Sequence, residues 1–288
     1  MKRVLILGYG YTGTYLYSRL KQDHDVEIVS KASLDYTNPD VLETHLFEYK
    51  PDYVVNCSGY TGRPNVDGCE DNKEDCWKLN VTAPQMVNSA CRAHNIPYIH
   101  ISSGCVYSGY DKAWTEKDPA NYGVFSNESS FYSKSKHAYE LASSDYGLTI
   151  RIRMPFDDDQ TDRSIVAKLL RYDKLIDPGK NSKTYMNDLT DFITKYITEG
   201  HNDNEIINFV NPEPLSTQEV TEIMKDNGIV NKNWKVVEFE ELGTKCGRSN
   251  CTLDISKLES KYGFKPLTET EALNKSLYWN AKKEKVAN

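Results

Sequence analysis

At 288 residues the chain is too long for one small module, and 39% apolar residues with 20 tyrosines exclude a disordered polymer. A formal net charge of −7 argues against nucleic acid or an anionic membrane as partner, while leaving room for local basic residues to hold an anionic small molecule. The N-terminal apolar run "VLIL" is too short for a signal-peptide core, no run approaches the ~18 apolar residues of a membrane helix, and seven cysteines without a CxxC pair predict a reduced, cytoplasmic protein with no zinc site.

In chain order, "RVLIL" at 3–7, "VEIV" at 26–29, "YVVNC" at 53–57, "YIHIS" at 98–102 and "LTIRIR" at 148–153 read as strands. Amphipathic segments lie between them, among them "PDVLETHLFEYK", the long "EDCWKLNVTAPQMVNSACRAHN" and "SFYSKSKHAYELASSDYG". Near-continuous apolar strands alternating with helices predict a Rossmann-like, doubly wound α/β domain with a parallel sheet covered on both faces. After Pro155 the alternation weakens. Helical patterns dominate there, from "SIVAKLLRYDK" and "NDLTDFITKYITEG" to "TETEALNKSLYWNAKKEK", with short strands at "IINFV" and "WKVVEF". The expected organisation is a dinucleotide-binding domain over 1–155 and a smaller, helix-rich substrate lobe over 156–288, some of whose segments return to the sheet.

"LGYGYTG" sets Gly8, Gly10 and Gly13 in GxGxxG spacing directly after the first strand, with Tyr11 and Thr12 completing the loop. Glycine allows the tight turn and the close backbone approach to a pyrophosphate, and the next helix offers its N-terminus to the anion. An NAD site carries an acid about 20 residues further on for the ribose diol. Here Ser30 and Lys31 occupy that place, which would attract the 2′-phosphate of NADP; Asp35 is the alternative acid if the turn is long.

"FYSKSK" contains Tyr132 and Lys136 as YxxxK, one turn apart on a helix face. The lysine ammonium is expected to depress the phenol's pKa and to hold the cofactor ribose, leaving the tyrosine to exchange a proton with substrate. The GxGxxG start, "NCSG" at 56–59, "LNV" with Asn80, "ISS" at 101–103 and YxxxK, in this order, resemble the extended short-chain dehydrogenase/reductases. The resemblance implies that Ser103 positions a substrate carbonyl, Tyr132 protonates it and Lys136 orients cofactor and tyrosine. It also implies cofactor contacts at Ser58, Gly59, Asn80 and Pro155. Sugar-nucleotide dehydratases of this superfamily carry an Asp–Glu pair where this chain has Gly104 and Cys105, so dehydration is disfavoured.

Cys105, two residues past Ser103, resembles the acid/base cysteine of nucleotide-sugar epimerase/reductases such as GDP-fucose synthase. "TGRPNVDGCE", "GC", "FYSK", "RIRMP", "AKLLRYDK" and "GRSN" resemble the plant rhamnose-synthesis epimerase/reductases, relatives of the dTDP-4-dehydrorhamnose reductases. A 4-keto sugar acidifies the hydrogens on carbons 3 and 5, and inversion needs one group to remove a proton and another to return one from the opposite face. A thiol titrates close enough to neutrality to do either. The resemblance gives the opposing role to Lys168. It implies a UDP-4-keto-6-deoxy-D-glucose 3,5-epimerase/4-reductase that uses NADPH and dimerises through helices at 71–94 and 130–146.

For the substrate's diphosphate, Arg153 and Arg248 offer bidentate guanidinium groups, and Thr61, Arg63 and Asn65 stand on the sugar side; each arginine is equally readable as a structural residue. Two rival functions stay open: a 4-keto-sugar reductase without epimerase activity, and a non-catalytic NADP-binding regulatory subunit.

Overall fold

The computed structural model describes residues 1–287 apart from Pro64, Ser144, Gln160, Asp177 and Pro178, with side chains as far as Tyr278. The first half runs β1 (Arg3–Leu7), α1 (Tyr11–Leu20), β2 (Asp25–Val29), α2 (Pro39–Tyr49), β3 (Tyr53–Asn56), α3 (Gly68–Asp71), α4 (Lys73–Trp77), α5 (Ala83–Ala93), β4 (Tyr98–Ser103), β5 (Gly109–Trp114), α6 (Phe131–Ser143) and β6 (Leu148–Ile152). The second half continues as α7 (Ile165–Arg171), β7 (Lys174–Leu175), α8 (Met186–Thr198), β8 (Glu205–Asn208), α9 (Thr217–Asp226), β9 (Lys235–Val236), β10 (Cys251–Leu253), α10 (Ser256–Tyr262) and α11 (Glu269–Ala287).

Six parallel strands form the central sheet in the order β2-β1-β3-β4-β6-β8. The five expected strands form it together with β8, which lies at its edge. Along β1, Val4 and Ile6 face one core with Leu16 and Leu20 of α1 and Leu189 and Ile193 of α8. Leu5 and Leu7 face the other with Leu42 and Leu46 of α2, Val87 of α5 and Tyr139 of α6. Both faces of each inner strand are therefore dry, which is why these strands read as unbroken apolar runs. A third core gathers Phe156, Val166, Leu169, Val220, Met224 and Leu273 around α7, α9 and α11. Strand order reverses between β1 and β3, and the crevice at the carboxyl ends of those strands is where a doubly wound sheet takes its ligand.

Local signals explain the helix limits. Asn38 caps α2 by accepting from the Asp40 amide at 3.0 Å, Pro39 occupies its first turn, and Lys50 ends it in the left-handed region at φ 51°. The long helix expected from Glu74 to Asn95 is instead broken into α4 and α5, with a π turn over Lys78–Thr82 between them. The extra residue in that turn swings Asn80 inward, a feature common at functional sites. "WKVVEF" forms only the two-residue β9, paired with β7, because it lies outside the main sheet. Sequence reading missed β5, whose polar "GYDKAW" pairs in parallel with β10. Among the described residues no helix is long and apolar enough to cross a membrane, and no cluster of three or more His, Cys, Asp or Glu side chains suits a metal ion.

Candidate active site

The glycine loop closes the carboxyl end of β1. Gly8 sits at φ 107°, and a Cβ there would lie 2.7 Å from the Ser58 nitrogen, so the loop packs directly on the chain leaving β3. A Cβ on Gly13 would lie 2.0 Å from the Gly8 carbonyl oxygen, whereas one on Gly10 would meet nothing within 4 Å. Gly8 and Gly13 thus serve the turn and helix contact, and Gly10 leaves the open surface that a pyrophosphate needs. Tyr11 and Thr12 begin α1 beside that opening.

At the end of β2, Ser30 and Ser33 exchange bonds, the Ser33 amide donating to Ser30 Oγ at 3.1 Å and the Ser30 amide to Ser33 Oγ at 2.9 Å, and Lys31 is exposed next to them. Asp35, the alternative acid, is engaged in its own turn: the Thr37 hydroxyl donates to it at 2.5 Å and holds its carboxyl below the usual range. The residues present fit an NADP adenosine end, with no carboxylate at the strand terminus to repel a 2′-phosphate.

Three segments converge at the carboxyl ends of β3 and β4. Asn80, buried in the π turn, accepts from the Tyr60 amide at 2.8 Å and donates to the Tyr60 carbonyl at 2.8 Å and to Ser135 Oγ at 3.0 Å. It therefore ties the loop after β3 to α6. A Cβ on Gly59 would lie 3.0 Å from Asn80 Oδ1 and 3.4 Å from Lys136 Nζ, so the bare glycine leaves room for both side chains. Asn56 orients the same loop by accepting from the Ser58 amide at 2.9 Å and its hydroxyl at 2.6 Å. Ser103 ends β4 nearly buried, and its Oγ accepts from the Cys105 amide at 3.2 Å.

Lys136 is 4% exposed, with Nζ 6.0 Å from the centroid of the Tyr132 ring. Burial lowers its pKa to about 8. The phenol of Tyr132 departs from the expectation of an acidified tyrosine. Burial drives its pKa upward, the nearby Cys105 sulfur adds to that, and a hydrogen bond with Ser103 offsets only part. Tyr132 is thus a protonated phenol throughout the neutral range, fit to give a proton.

Beneath these groups lies a brace that the sequence reading did not identify. Glu140, one turn past Lys136, accepts from Arg151 Nη2 at 2.7 Å and from Arg151 Nε at 3.2 Å, and from the Ser102 hydroxyl at 2.8 Å. Arg151 also donates to the Tyr107 hydroxyl at 2.8 Å. The brace joins α6 to β4 and β6 and fixes the spacing of Tyr132 and Lys136 to Ser103. Its one signal in the sequence is an arginine inside an otherwise apolar buried strand, which demands a buried carboxylate.

The remaining predicted residues divide. Cys105 is half-buried in a short 3-10 turn. Lys168 is half-buried on α7, and burial together with Arg163 and Arg171 lowers its pKa. Pro155 seats that helix, its carbonyl accepting from the Ile165 amide at 3.0 Å. The exposed Thr61 accepts from Arg163 Nη1 at 3.5 Å, a contact linking the loop after β3 to the approach to α7. Arg63 is exposed, while the Asn65 side chain is spent within its own turn, accepting from the Asp67 amide at 2.8 Å.

Both arginines expected at the diphosphate are engaged elsewhere. Arg153 is 2% exposed, packed behind Gly104. Arg248 forms a two-pronged pair with Asp67, at 3.0 Å on each prong. A guanidinium drawn into the interior or facing a carboxylate takes its partners from the fold, which linear sequence cannot reveal.

A model of the RmlD substrate-binding domain matches residues 1–281. A bifunctional dTDP-4-dehydrorhamnose 3,5-epimerase/dTDP-4-dehydrorhamnose reductase of Arabidopsis thaliana is 32% identical over 226 residues, covering 74% of this chain and 72% of that protein. A trifunctional UDP-glucose 4,6-dehydratase/UDP-4-keto-6-deoxy-D-glucose 3,5-epimerase/UDP-4-keto-L-rhamnose-reductase of the same plant is 31% identical over 246 residues, 81% of this chain and 35% of that longer protein. In three dimensions the chain resembles the L780 UDP-rhamnose synthase of Acanthamoeba polyphaga mimivirus, with TM-score 0.81 and 24% identity over 96% of this chain and 99% of that one. It also resembles a dTDP-4-dehydrorhamnose reductase of Clostridium acetobutylicum, with TM-score 0.83 and 20% identity over 97% and 99% of the two chains. Because the matched domain runs from β1 into α11, across the glycine loop, Ser103, Tyr132 and Lys136 alike, the chain belongs to the RmlD substrate-binding-domain family of extended short-chain dehydrogenase/reductases.

Proposed function

We propose that this protein is an NADPH-dependent nucleotide-sugar 3,5-epimerase/4-reductase that converts UDP-4-keto-6-deoxy-D-glucose to UDP-L-rhamnose. The observation that carries the epimerase half is the half-buried Cys105 thiol, whose amide donates to Ser103 Oγ and whose sulfur acts electrostatically on the Tyr132 phenol. The UDP moiety rests on the likeness to the plant trifunctional proteins and the mimiviral synthase.

Gly8, Gly10, Tyr11, Thr12 and Gly13 would hold the pyrophosphate of NADPH, Ser30 and Lys31 its 2′-phosphate, and Ser58, Gly59, Asn80, Lys136 and Pro155 its nicotinamide half. Once bound, the cofactor supplies the hydride for carbon 4. Ser103 and Tyr132 hydrogen-bond the oxygen on carbon 4. When a proton leaves carbon 3 or 5, the C–H electron pair moves onto that oxygen as an enolate, and both hydroxyls stabilise it. Of Cys105 and Lys168, one takes the departing proton and the other returns one to the opposite face, which inverts the carbon. In the reductive half Tyr132 gives its phenolic proton to the oxygen on carbon 4, and the Lys136 ammonium stabilises the phenolate left behind.

Thr61 and Arg63 lie on the sugar side of the cleft. The assembly is read as a homodimer through helices at 71–94 and 130–146, which carry the exposed Trp77 and Leu141, in a reducing cytoplasm. The test is incubation with NADPH and the 4-keto substrate in deuterated water. The bifunctional reading expects two deuterons in the product, at carbons 3 and 5, and loss of both on Cys105→Ser or Lys168→Met. Turnover of only the pre-epimerised ketone would leave a 4-reductase, and absence of any NADPH oxidation would leave a binding subunit.

A further inference from the structure

Among the described residues four lysines and arginines are buried: Lys136, Arg151, Arg153 and Lys183. Arg151 is paired with Glu140 and Lys183 with Glu269, while Lys136 opens on the proposed ribose site. Arg153 is different. Its Nη1 donates to Ser249 Oγ at 2.7 Å and to the Gly104 carbonyl at 3.3 Å, and its Nη2 donates to Asn181 Oδ1 at 3.0 Å and the Ser249 carbonyl at 3.0 Å. None of these partners carries a charge, and the buried Nε has no acceptor. A guanidinium does not shed its proton in a protein, so this is a fixed positive charge held out of water with no anion hydrogen-bonded to it; Glu269, the carboxylate that acts on it through space, is already paired with Lys183.

The remaining contact of Nη1 is Cys105 Sγ, at 3.9 Å. Cys251 also lies near Arg153, but its buried sulfur turns to the Gly104 carbonyl at 4.0 Å, and burial pushes that thiol up. Of the two sulfurs, Cys105 alone is partly exposed, and it is the one that acts electrostatically on the Tyr132 phenol.

We infer that Arg153 is the built-in counter-charge of a Cys105 thiolate, a positioning residue that makes Cys105 the proton acceptor of the epimerising pair and leaves Lys168 as the donor. The inference rests on the reading of Cys105 as a proton shuttle. In the step it favours, the substrate C–H bond breaks, an S–H bond forms on Cys105, and the electron pair passes to the oxygen on carbon 4. The Lys168 ammonium then loses a proton to the opposite face of the same carbon. Burial and the neighbouring Arg163 and Arg171 already weaken its hold on that proton. Solvent takes the Cys105 proton and reloads Lys168 before the second carbon is inverted.

The four polar contacts make the guanidinium rigid, so its charge stays on the sulfur side whatever the substrate does. A thiolate beside a fixed cation is the form that both abstracts protons and reacts with alkylating agents.

The experiment uses the full chain without cofactor at pH 7. The thiolate band near 240 nm is measured as the difference between wild type and Cys105→Ser, and iodoacetamide modification of residue 105 is followed by peptide mass mapping. The wild type is expected to carry the band, Arg153→Met to lose it and to alkylate about tenfold more slowly at Cys105, and Arg153→Lys to recover most of both. No band in the wild type, or an unchanged alkylation rate in an Arg153→Met protein whose circular dichroism is native, overturns the inference. If Arg153→Met does not fold, the wild-type band and Arg153→Lys still decide. Deuterium incorporation separates the two levels of the reading. An Arg153-independent thiolate, with both deuterons lost in Cys105→Ser, sinks the counter-charge and spares the epimerase. An Arg153-dependent thiolate, with both deuterons retained in Cys105→Ser, does the reverse.

Discussion

Lys136→Met should make the cofactor-free protein more stable while abolishing reduction. Lys136 is 4% exposed and forms no ion pair among the described residues, so its charge is held in the fold at a cost. Moving a lysine from its ordinary 10.5 to about 8 corresponds to about 3 kcal/mol, at about 1.4 kcal/mol per factor of ten. The sign comes from proton binding. Below pH 8 the amine is charged in both folded and unfolded chains, and the full penalty weighs on the fold. Between about 8 and 10.5 the folded protein has released the proton while the unfolded chain still binds it, so stability rises with pH across that window. Above it the amine is neutral in both states and the penalty is gone. Methionine keeps most of the side chain's volume without the charge, so urea unfolding at pH 7 should show the variant ahead of wild type by up to about 3 kcal/mol. That lead should shrink steadily from pH 8 to 10. The difference between the two proteins cancels the surface groups that titrate in both. A variant less stable than wild type at pH 7, by an amount that does not change with pH, would refute the electrostatic account.

The same lysine governs catalysis. kcat/KM for reduction should fall above about pH 8 as the ammonium is lost, with no earlier loss from Tyr132, whose raised pKa keeps it protonated; a flat profile to pH 9.5 contradicts this. Gly13→Ala places a Cβ 2.0 Å from a backbone oxygen that has no freedom to withdraw, so the dissociation constant for NADPH, followed by fluorescence, should rise about 10–100-fold; unchanged binding would remove Gly13 from the cofactor site. Glu140→Gln leaves the buried Arg151 without its anion and should cost about 3–5 kcal/mol of stability, most of it recovered in the Glu140→Gln, Arg151→Met double variant. Equal losses in the single and double variants would mean that the carboxylate acts by packing rather than charge.

Strand runs, the glycine loop and YxxxK were legible in the sequence because each depends on contacts within a few residues. An apolar run five residues long becomes an inner strand wherever the sheet lies, Gly8 needs its left-handed turn whichever helix comes after it, and Tyr132 and Lys136 share a helix face by periodicity alone. The serine that ends β4 and the cysteine two residues on belong to the same class, since a strand end and a 3-10 turn place them close together.

Only the tertiary structure decided which charge meets which. Arg151 in β6 and Arg153 just past its end look alike in the sequence, yet one finds Glu140 on α6 and the other finds Cys105, Asn181 and Ser249. Arg248 faces Asp67 across 181 residues of chain. A protonated Tyr132 is likewise set by burial under segments distant in sequence. Local order arises from backbone sterics and periodicity, which act over one turn of helix. Charge pairing and desolvation act through space, and the chain encodes them only through the fold that brings distant residues together.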